Sequence, residues 1–493
     1  MIFTKLKRKK AVMDYINSAE CAKKWGIGPA MISKLCKSGR IEGAVKQGKA
    51  WMIPSTAEKP KDKRSGDFAN FTFIDLFCGI GGFHQAMAKL GGRCVFASDI
   101  SLPCQEVYKN NYCRNEEFPV VGDIRRAISK GQIPKFDVLC AGFPCQTFSK
   151  AGNQNGFTVV KKENGEKDER GQLFYRIIDI LRVHPECKYL ILENVRNLAD
   201  KKDNWKIICD ELKSLGFIIT EEPIIESPHH FGIPQVRERV YILGIRGSWF
   251  DRRRRLPKGY LTRETLKINE KYNPCAENGN CLGGILDAGV DEKYYVSPEI
   301  EELLNAWEEF RANVKGLASP FWTHKAGIGI YDREEYLHDS DIGYQDMPDW
   351  KKALVMKSRV MYEDNYAFID EWLEKYKIED RILLHQKFEW NAGTDCKSIR
   401  DGIIQIRQSG VRVKRPNYFP SLVVMKNTPI VWDAHAERFR KLTPKECAKL
   451  QSFDSNFVFS EVDSTSYRQL GNTVNVELIR MLAEELFRLG RAQ

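Results

Sequence analysis

Asp75-Leu76-Phe77-Cys78-Gly79-Ile80-Gly81-Gly82-Phe83 stands where the apolar run Thr72–Phe77 gives way to a periodic segment, His84–Leu90. Glycines at a strand-to-helix junction let the chain turn tightly and bring its backbone against a ligand. The spacing alone suits any nucleotide-type cofactor. No Gly-Lys-Ser/Thr follows, so the phosphate cradle of a P-loop is excluded. Asp99, at the end of the next apolar run (Cys94–Ala97), is placed to accept ribose hydroxyls, and Asp123 in Gly122-Asp123-Ile124 to accept from an exocyclic amine. Taken singly, each aspartate reads equally well as a helix cap.

Outward from this stretch, short apolar runs recur at Val138–Ala141, Tyr189–Leu192 and Val240–Ile245, each with the look of a buried parallel strand. Periodic segments at Leu173–Val183 and Trp205–Leu215 lie between them as crossover helices. The alternation predicts a doubly wound α/β sheet. It is lost from Gly247 to Ala436, a long irregular stretch rich in Trp, Tyr, Lys and Arg, and returns from Phe439 to a final helix, Val476–Leu489. The expected organisation is a basic module and linker at 1–66, an α/β domain at 67–246, an insertion at 247–436, and a return segment at 437–493.

Charge supports the first of these divisions. Residues 1–66 hold 16 Lys+Arg against 5 Asp+Glu, an excess equal to the +11 of the whole chain. Concentrated positive charge suits a nucleic-acid partner. Within this module Asn17 or Ser18 caps a first helix to Trp25, Gly26-Ile27-Gly28 turns, and Pro29 opens a second helix. The second helix turns Ile32, Leu35 and Cys36 to one face, with Lys34 and Lys37 elsewhere. Ile41–Val45 and Trp51–Ile53, joined by Gln47-Gly48, form a hairpin wing. The pattern resembles the winged helix-turn-helix of excisionase- and MerR-type DNA binders. A basic helical hairpin serving folding alone is the plainer reading.

Fourteen cysteines lie scattered without a disulfide framework or zinc spacing, so no metal site is expected and most read as buried free thiols. Cys145 is the exception. It sits in Gly142-Phe143-Pro144-Cys145-Gln146, just past a strand, at the edge where open α/β sheets place ligands. Glu193 in Glu193-Asn194-Val195 ends another strand at the same edge, and Gln235-Val236-Arg237-Glu238-Arg239 offers two guanidinium groups on alternate positions. Ser149–Gly171, polar and rich in Gly and Lys, reads as a surface loop able to close over a site.

These motifs, followed by Arg440-Lys441-Leu442-Thr443-Pro444-Lys445-Glu446-Cys447 and Gly471-Asn472-Thr473-Val474, resemble in kind and order those of the C5-cytosine DNA methyltransferases of bacterial restriction-modification systems. The match covers roughly 71–246 and 437–493. It implies a Rossmann-like S-adenosylmethionine-dependent domain interrupted by a target-recognition domain. Cys145 would attack carbon 6 of a flipped-out cytosine, Glu193 would hold N3 and the amino group, and Arg239, with Arg237 beside it, would serve the O2 carbonyl. Phe77, Gly79, Ile80, Gly82, Asp99, Asp123, Ile124, Pro144, Asn472 and Thr473 match cofactor-contacting positions. The family often has Glu where this chain has Asp99. Ser149, Arg407, Arg412 and Arg415, with Lys34 and Lys37 of the basic module, are the expected DNA contacts.

The partners implied are double-stranded DNA and, functionally, a cognate restriction endonuclease, in a monomeric cytoplasmic protein of bacterial or phage origin. No apolar run approaches the roughly 18 residues needed to span a bilayer. Two other functions compete: a tRNA cytosine-5 methyltransferase, and a DNA-binding regulator with an inactive catalytic body. The Cys-Phe-Thr signature of the tRNA branch is absent, and Cys145, Glu193 and Arg239 are intact.

Overall fold

The chain divides into two units, Met1–Phe68 and Ala69–Gln493. In this computed structural model the described residues are 15–25, 29–37, 41, 43–48, 50–55, 57, 71–114, 117–144, 157, 160–161, 167–168, 170–249, 261–268, 280–323, 345–422 and 428–491. Cys145, Ser149, most of the Ser149–Gly171 loop, the Gly26–Gly28 turn and the Lys34 side chain lie outside them.

The first unit has helices α1 (Ser18–Trp25) and α2 (Pro29–Lys37) against a three-stranded sheet. Its strands are β1 (Tyr15–Asn17), β2 (Val45–Gln47) and β3 (Ala50–Pro54), in the order β1-β3-β2. Asn17 is the cap of α1: its Oδ1 accepts from Ala19 N and Glu20 N, and Glu20 returns the bond to Asn17 N. Such reciprocal capping satisfies donors a helix start otherwise leaves free. Ile32, Leu35 and Cys36 of α2 are buried with Cys21, Ile41 and Ile53. The extended run expected from Ile41 begins only at Val45, because Gly43 takes φ 74° and Ala44 N closes a turn on Ile41 O.

In the second unit eight strands form one sheet. They are β4 (Phe71–Leu76), β5 (Gly92–Ser98), β6 (Val120–Val121), β7 (Val138–Ala141), β10 (Tyr189–Val195), β11 (Phe217–Ile219), β12 (Ile224–Glu226) and β13 (Arg239–Arg246). A separate ladder joins β8 (Val160–Lys161) and β9 (Lys167–Asp168). Helices α3 (Gly82–Lys89), α4 (Leu102–Tyr112), α5 (Ile124–Ser129), α6 (Leu173–Val183), α7 (Asn197–Asp200) and α8 (Lys202–Ser214) make the connections. The order is β11-β13-β10-β7-β4-β5-β6, with β12 also on β13. From β10 to β6 all pairings are parallel. The chain winds outward from β4 through β5 to β6, then returns to place β7 on the other flank of β4. The direction of winding therefore reverses between β4 and β7, and such a switch opens a crevice at the strands' carboxyl ends.

One expected strand orientation is corrected. The run Val240–Ile245 is antiparallel to both β10 and β11. No helical crossover returns the chain before β13; it comes from β12 through a short turn at Pro228–Phe231. β13 is buried along nearly its whole length, so its apolar run reads the same in either direction.

The insertion is also more regular than expected. It contains α9 (Pro298–Asn313), the 28-residue α10 (Asp349–Tyr376) and a six-stranded sheet. That sheet joins β14 (Phe321–Trp322), β15 (Lys387–Asn391), β16 (Ile403–Arg407), β17 (Gly410–Lys414), β18 (Ile430–Asp433) and β19 (Arg438–Lys441) in the order β14-β15-β17-β16-β18-β19. Its strands are short, at most five residues each, and are spread along the chain, β14 between the two helices and the rest after α10. Its core is aromatic: Trp307, Phe310, Phe321, Trp372 and Phe388 are all essentially buried, with Trp307 stacked on Phe388 at 4.9 Å. The boundary drawn at 437 falls inside the β18–β19 hairpin, where Asp433 pairs with Arg438.

After β19 come α11 (Pro444–Leu450), α12 (Asp463–Asn472) and α13 (Val476–Arg491). Helix α13 lies on the large sheet, where Phe487 meets Phe71 at 5.1 Å and Tyr189 at 4.7 Å. Among the described residues no helix is long and apolar enough to cross a membrane. Trp307→Ala should destabilise the second unit by about 3–5 kcal/mol, the usual cost of truncating a buried aromatic. Chemical denaturation followed by tryptophan fluorescence measures this; a loss below about 1 kcal/mol would show that the aromatic core does not hold the insertion.

Candidate active site and cofactor pocket

Two loops meet at the β4–β7 crevice. The first follows β4. Phe77 is held at φ 54°, a conformation costly for a bulky side chain, and Gly79 and Gly81 follow at φ 52° and 87°. Cys78 N donates to Ser98 O and Gly81 N to Cys78 O, so the turn is tied to β5 and to itself. Asp99 completes it: one carboxylate oxygen accepts from Gly79 N and the other from Ser101 N, both at 2.8 Å. Burial pushes the Asp99 carboxyl up, against those two hydrogen bonds. A carboxylate has about four acceptor sites, so two remain after these bonds.

The return segment closes this loop from the far end of the sequence. A Cβ on Gly82 would stand 2.7 Å from Thr473 Oγ1 and 2.8 Å from Val474 Cγ2. Only glycine permits that approach. Thr473 is buried, while Asn472 is exposed at the end of α12. Ile80 and Ile124 are buried, and Pro144 is half-buried on the loop after β7. Asp123 differs from expectation: it caps α5 through Arg125 N and is gripped by the Arg125 guanidinium at 2.8–3.1 Å. The Arg125 hydrogen bond holds its carboxyl below the usual range. The helix-cap reading is the one this carboxylate shows, and an amine would have to share it with Arg125.

The second loop follows β7 and leads to Cys145. Its approach is fixed by Asn194, whose Nδ2 donates to Phe143 O at 3.0 Å. Parallel pairing of Leu192 with Ala141 sets Glu193 beside Gly142, and a Cβ there would lie 3.9 Å from Glu193 Oε2. Glu193 is 8% exposed and meets Arg239 Nε at 3.1 Å. The antiparallel register, Val195 opposite Arg239, brings that guanidinium back over the carboxylate. Burial raises the Glu193 carboxyl, while Arg239 and then Arg237 pull it down. The carboxyl thus stands in a partly dry site beside a guanidinium, where proton transfer to a ligand is chemically open to it.

Arg237 has a different task from the one expected. Its side chain is 3% exposed and grips the return segment: Nη2 donates to Gly471 O at 3.0 Å and Thr473 O at 2.7 Å. Nη1 reaches Leu422 O at 3.2 Å and Ser421 Oγ at 3.4 Å. Through these bonds Arg237 ties the end of the insertion to the return segment, and its charge is also felt at Glu193.

The proposed DNA contacts are likewise committed within the protein. Arg407 and Arg412 both pair with Glu389, and Arg415 pairs with Asp395 at 2.9 Å. Lys37 ends α2 and is exposed. Sequence reasoning missed Glu389, which belongs to no motif, and Ser227, whose Oγ accepts from Arg237 N. The buried pair Arg440–Glu446 explains the Arg-Lys-Leu-Thr motif: Glu446 takes both Arg440 terminal nitrogens at 2.8–2.9 Å and completes the Thr443 capping box of α11.

The crevice therefore brings together a glycine turn and a buried Glu–Arg pair. The profile of the C-5 cytosine-specific DNA methylases matches residues 71–488, and the chain belongs to that family. It is 29% identical to the Type II methyltransferase M.AluI of Cellulosimicrobium cellulans, over 86% of this chain and 93% of that one. It is 30% identical to the Type II methyltransferase M.HpaII of Haemophilus parainfluenzae, over 84% of this chain and 89% of that one. The solved Dnmt2 methyltransferase of S. pombe aligns over 85% of this chain and 98% of its own, with 17% identity and a TM-score of 0.48.

The raised Glu193 carboxyl fixes a sign for pH dependence. The folded state holds this proton more tightly than the unfolded chain does. Its contribution to stability is therefore complete below the unfolded value and is lost as pH rises through the folded one. Measured against Glu193→Gln, wild-type stability should fall as pH rises through and above the ordinary carboxylate range. Denaturant midpoints across a pH series would reveal it, and a difference that grew with pH would contradict the assignment.

Proposed function

We propose that the chain transfers a methyl group from S-adenosylmethionine to carbon 5 of a flipped-out cytosine in a specific duplex sequence. The observation that carries this is the buried Glu193–Arg239 pair set beside Gly142, at the start of the loop to Cys145. The fit of the cofactor rests on Gly82, Gly79 and Asp99. The turn leaves no room for a Cβ at Gly82 and open space at Gly79, and Asp99 keeps acceptor sites. Phe77, Ile80, Asp123, Ile124, Pro144, Asn472 and Thr473 complete the set assigned to it, with Asp123 shared with Arg125. When bound, the cofactor supplies an electrophilic methyl group.

The chain's own residues make cytosine able to take it. Carbon 5 becomes enamine-like once the Cys145 thiolate adds to carbon 6. Glu193 gives its proton to N3 as that addition proceeds, so negative charge does not accumulate on the ring. Arg239 hydrogen-bonds the O2 carbonyl. After carbon 5 gains the methyl group, water takes the carbon 5 proton, the double bond re-forms as Cys145 leaves as a thiolate, and N3 returns its proton to Glu193. The target atoms are inaccessible inside a duplex, so the base leaves the stack.

Residues 1–66 are read as a winged helix-turn-helix that binds DNA, adding affinity or acting on the enzyme's own promoter. A restriction endonuclease of the same specificity is the expected functional partner. Purified protein with labelled S-adenosylmethionine should label duplex DNA, and Cys145→Ala should abolish labelling. Label confined to tRNA, or full activity in Cys145→Ala, would falsify the reading. Gly82→Ala should weaken S-adenosylmethionine binding at least tenfold by calorimetry, since its Cβ pushes Thr473 and Val474 off the pocket. Unchanged affinity would remove the return segment from the cofactor site.

A further inference from the structure

Helix α10 is buried on one side only. Val355, Tyr362, Ile369 and Trp372 belong to the aromatic core, with Trp372 meeting Trp307 at 4.9 Å. Two residues before Val355, roughly 200° round the helix, the same seven-residue step gives Ala353, Val360 and Ala367. All three are exposed, and exposed Trp350 and Met356 flank them on either side. Val360 stands 51% exposed and Trp350 66%, an apolar strip that the described residues leave to solvent. Apolar positions repeating at seven residues along one face make the seam on which two helices pair.

The charges beside this seam are sorted by sign. Residues 350–360 hold Lys351, Lys352, Lys357 and Arg359 and no acid. Residues 361–374 hold Glu363, Asp364, Asp370, Glu371 and Glu374 and no base. Lys357, Glu363 and Asp364 are exposed, and among the described residues no ion pair holds them. The sorting does not serve the helix itself, because bases near its start and acids near its end oppose its dipole. A parallel copy of the helix would set like charge against like. An antiparallel copy sets each basic half against an acidic half.

We propose that α10 is the contact surface of a two-fold symmetric dimer, pairing antiparallel with α10 of a second copy of this chain. With Val360 on the axis, Ala353 of one copy stands opposite Ala367 of the other. Lys357 then stands opposite Glu363, and symmetry makes each of these pairs occur twice. The small side chains at 353 and 367 admit close approach of the two helices. The overlap, residues 349–371, is about 34 Å long and one helix diameter wide. That lies at the small end of specific interfaces, so association in the micromolar range is expected. The chain is then a reversible dimer, in place of the monomer expected from its sequence. The pairing uses no residue of the β4–β7 crevice.

Sedimentation velocity of the full-length protein from about 1 to 100 µM tests this. Wild type should pass from monomer to dimer across that range. Lys357→Glu should weaken the dimer about tenfold, since its like-charge contact occurs twice, and Glu363→Lys should do the same. The double swap should return affinity to within about threefold of wild type. Val360→Cys should cross-link to its own copy under mild oxidation, beyond the wild-type level, and a reductant should undo it. All three positions are exposed on a helix held by its other side, so the variants should fold, which circular dichroism checks. Wild type that stays monomeric at about 100 µM would overturn the proposal. So would a dimer indifferent to both single swaps, a double swap no tighter than either, or no added cross-link in Val360→Cys.

Discussion

A guanidinium buried away from water must find acceptors for its charge, and Arg237 finds them only if distant segments of chain come together. The end of the insertion supplies Leu422 O and Ser421 Oγ, and the return segment supplies Gly471 O and Thr473 O. Removing those acceptors would leave a charge in a site where desolvation is costly. The arginine thus converts a topological problem into a packing one. Arg237, two residues before the arginine that faces Glu193, is one of the points at which an α/β body interrupted for nearly 200 residues is rejoined; Phe487 against Phe71 and Tyr189 is another. The same return segment lies on Gly82, so the cofactor turn and the Glu193–Arg239 pair share a support.

That support acts on a site whose parts come from strand ends in a fixed order. The reversal between β4 and β7 brings the glycine turn and the Cys145 loop to one crevice. Parallel register places Glu193 one residue past the end of β7, and antiparallel register returns Arg239 over it. The antiparallel strand is thus essential to the arrangement. A parallel β13 would deliver its first residue to the opposite edge of the sheet, far from Glu193.

The parts that could be read from sequence were those dictated by local rules. The glycine turn, the strand-end carboxylate Glu193 and the buried runs of β4, β7 and β10 all follow from spacing and burial within a few residues. The direction of β13 did not, because a strand buried on both faces has no alternation to mark its orientation. The insertion was misjudged as irregular since its sheet is assembled from β14 to β19 across more than a hundred residues, and its helices carry Trp and Phe in place of an aliphatic stripe. Roles of long side chains were the least legible. Arg237 and Arg239 are equivalent in the motif, yet Arg239 meets Glu193 while Arg237, which precedes β13, finds the carbonyls of Leu422, Gly471 and Thr473. Asp123 could be a cap or a ligand on sequence grounds, and the identity of residue 125 as arginine was what decided its partner.

Charge distribution gives the last step. The sequence places the whole +11 excess in residues 1–66, so the remaining chain is neutral by count. Neutral by count does not mean neutral locally. Around Glu389 three cations stand on one carboxylate, while elsewhere the body pairs its charges closely, as Arg440 with Glu446 and Arg480 with Glu477 and Glu484. Long-range attraction is screened within about 10 Å at 0.1 M salt, so a polyanion senses local clusters and not the chain's sum. The excess in residues 1–66 and the cluster on the insertion's sheet are therefore separate features of the chain, and a count over the whole sequence reveals only the first.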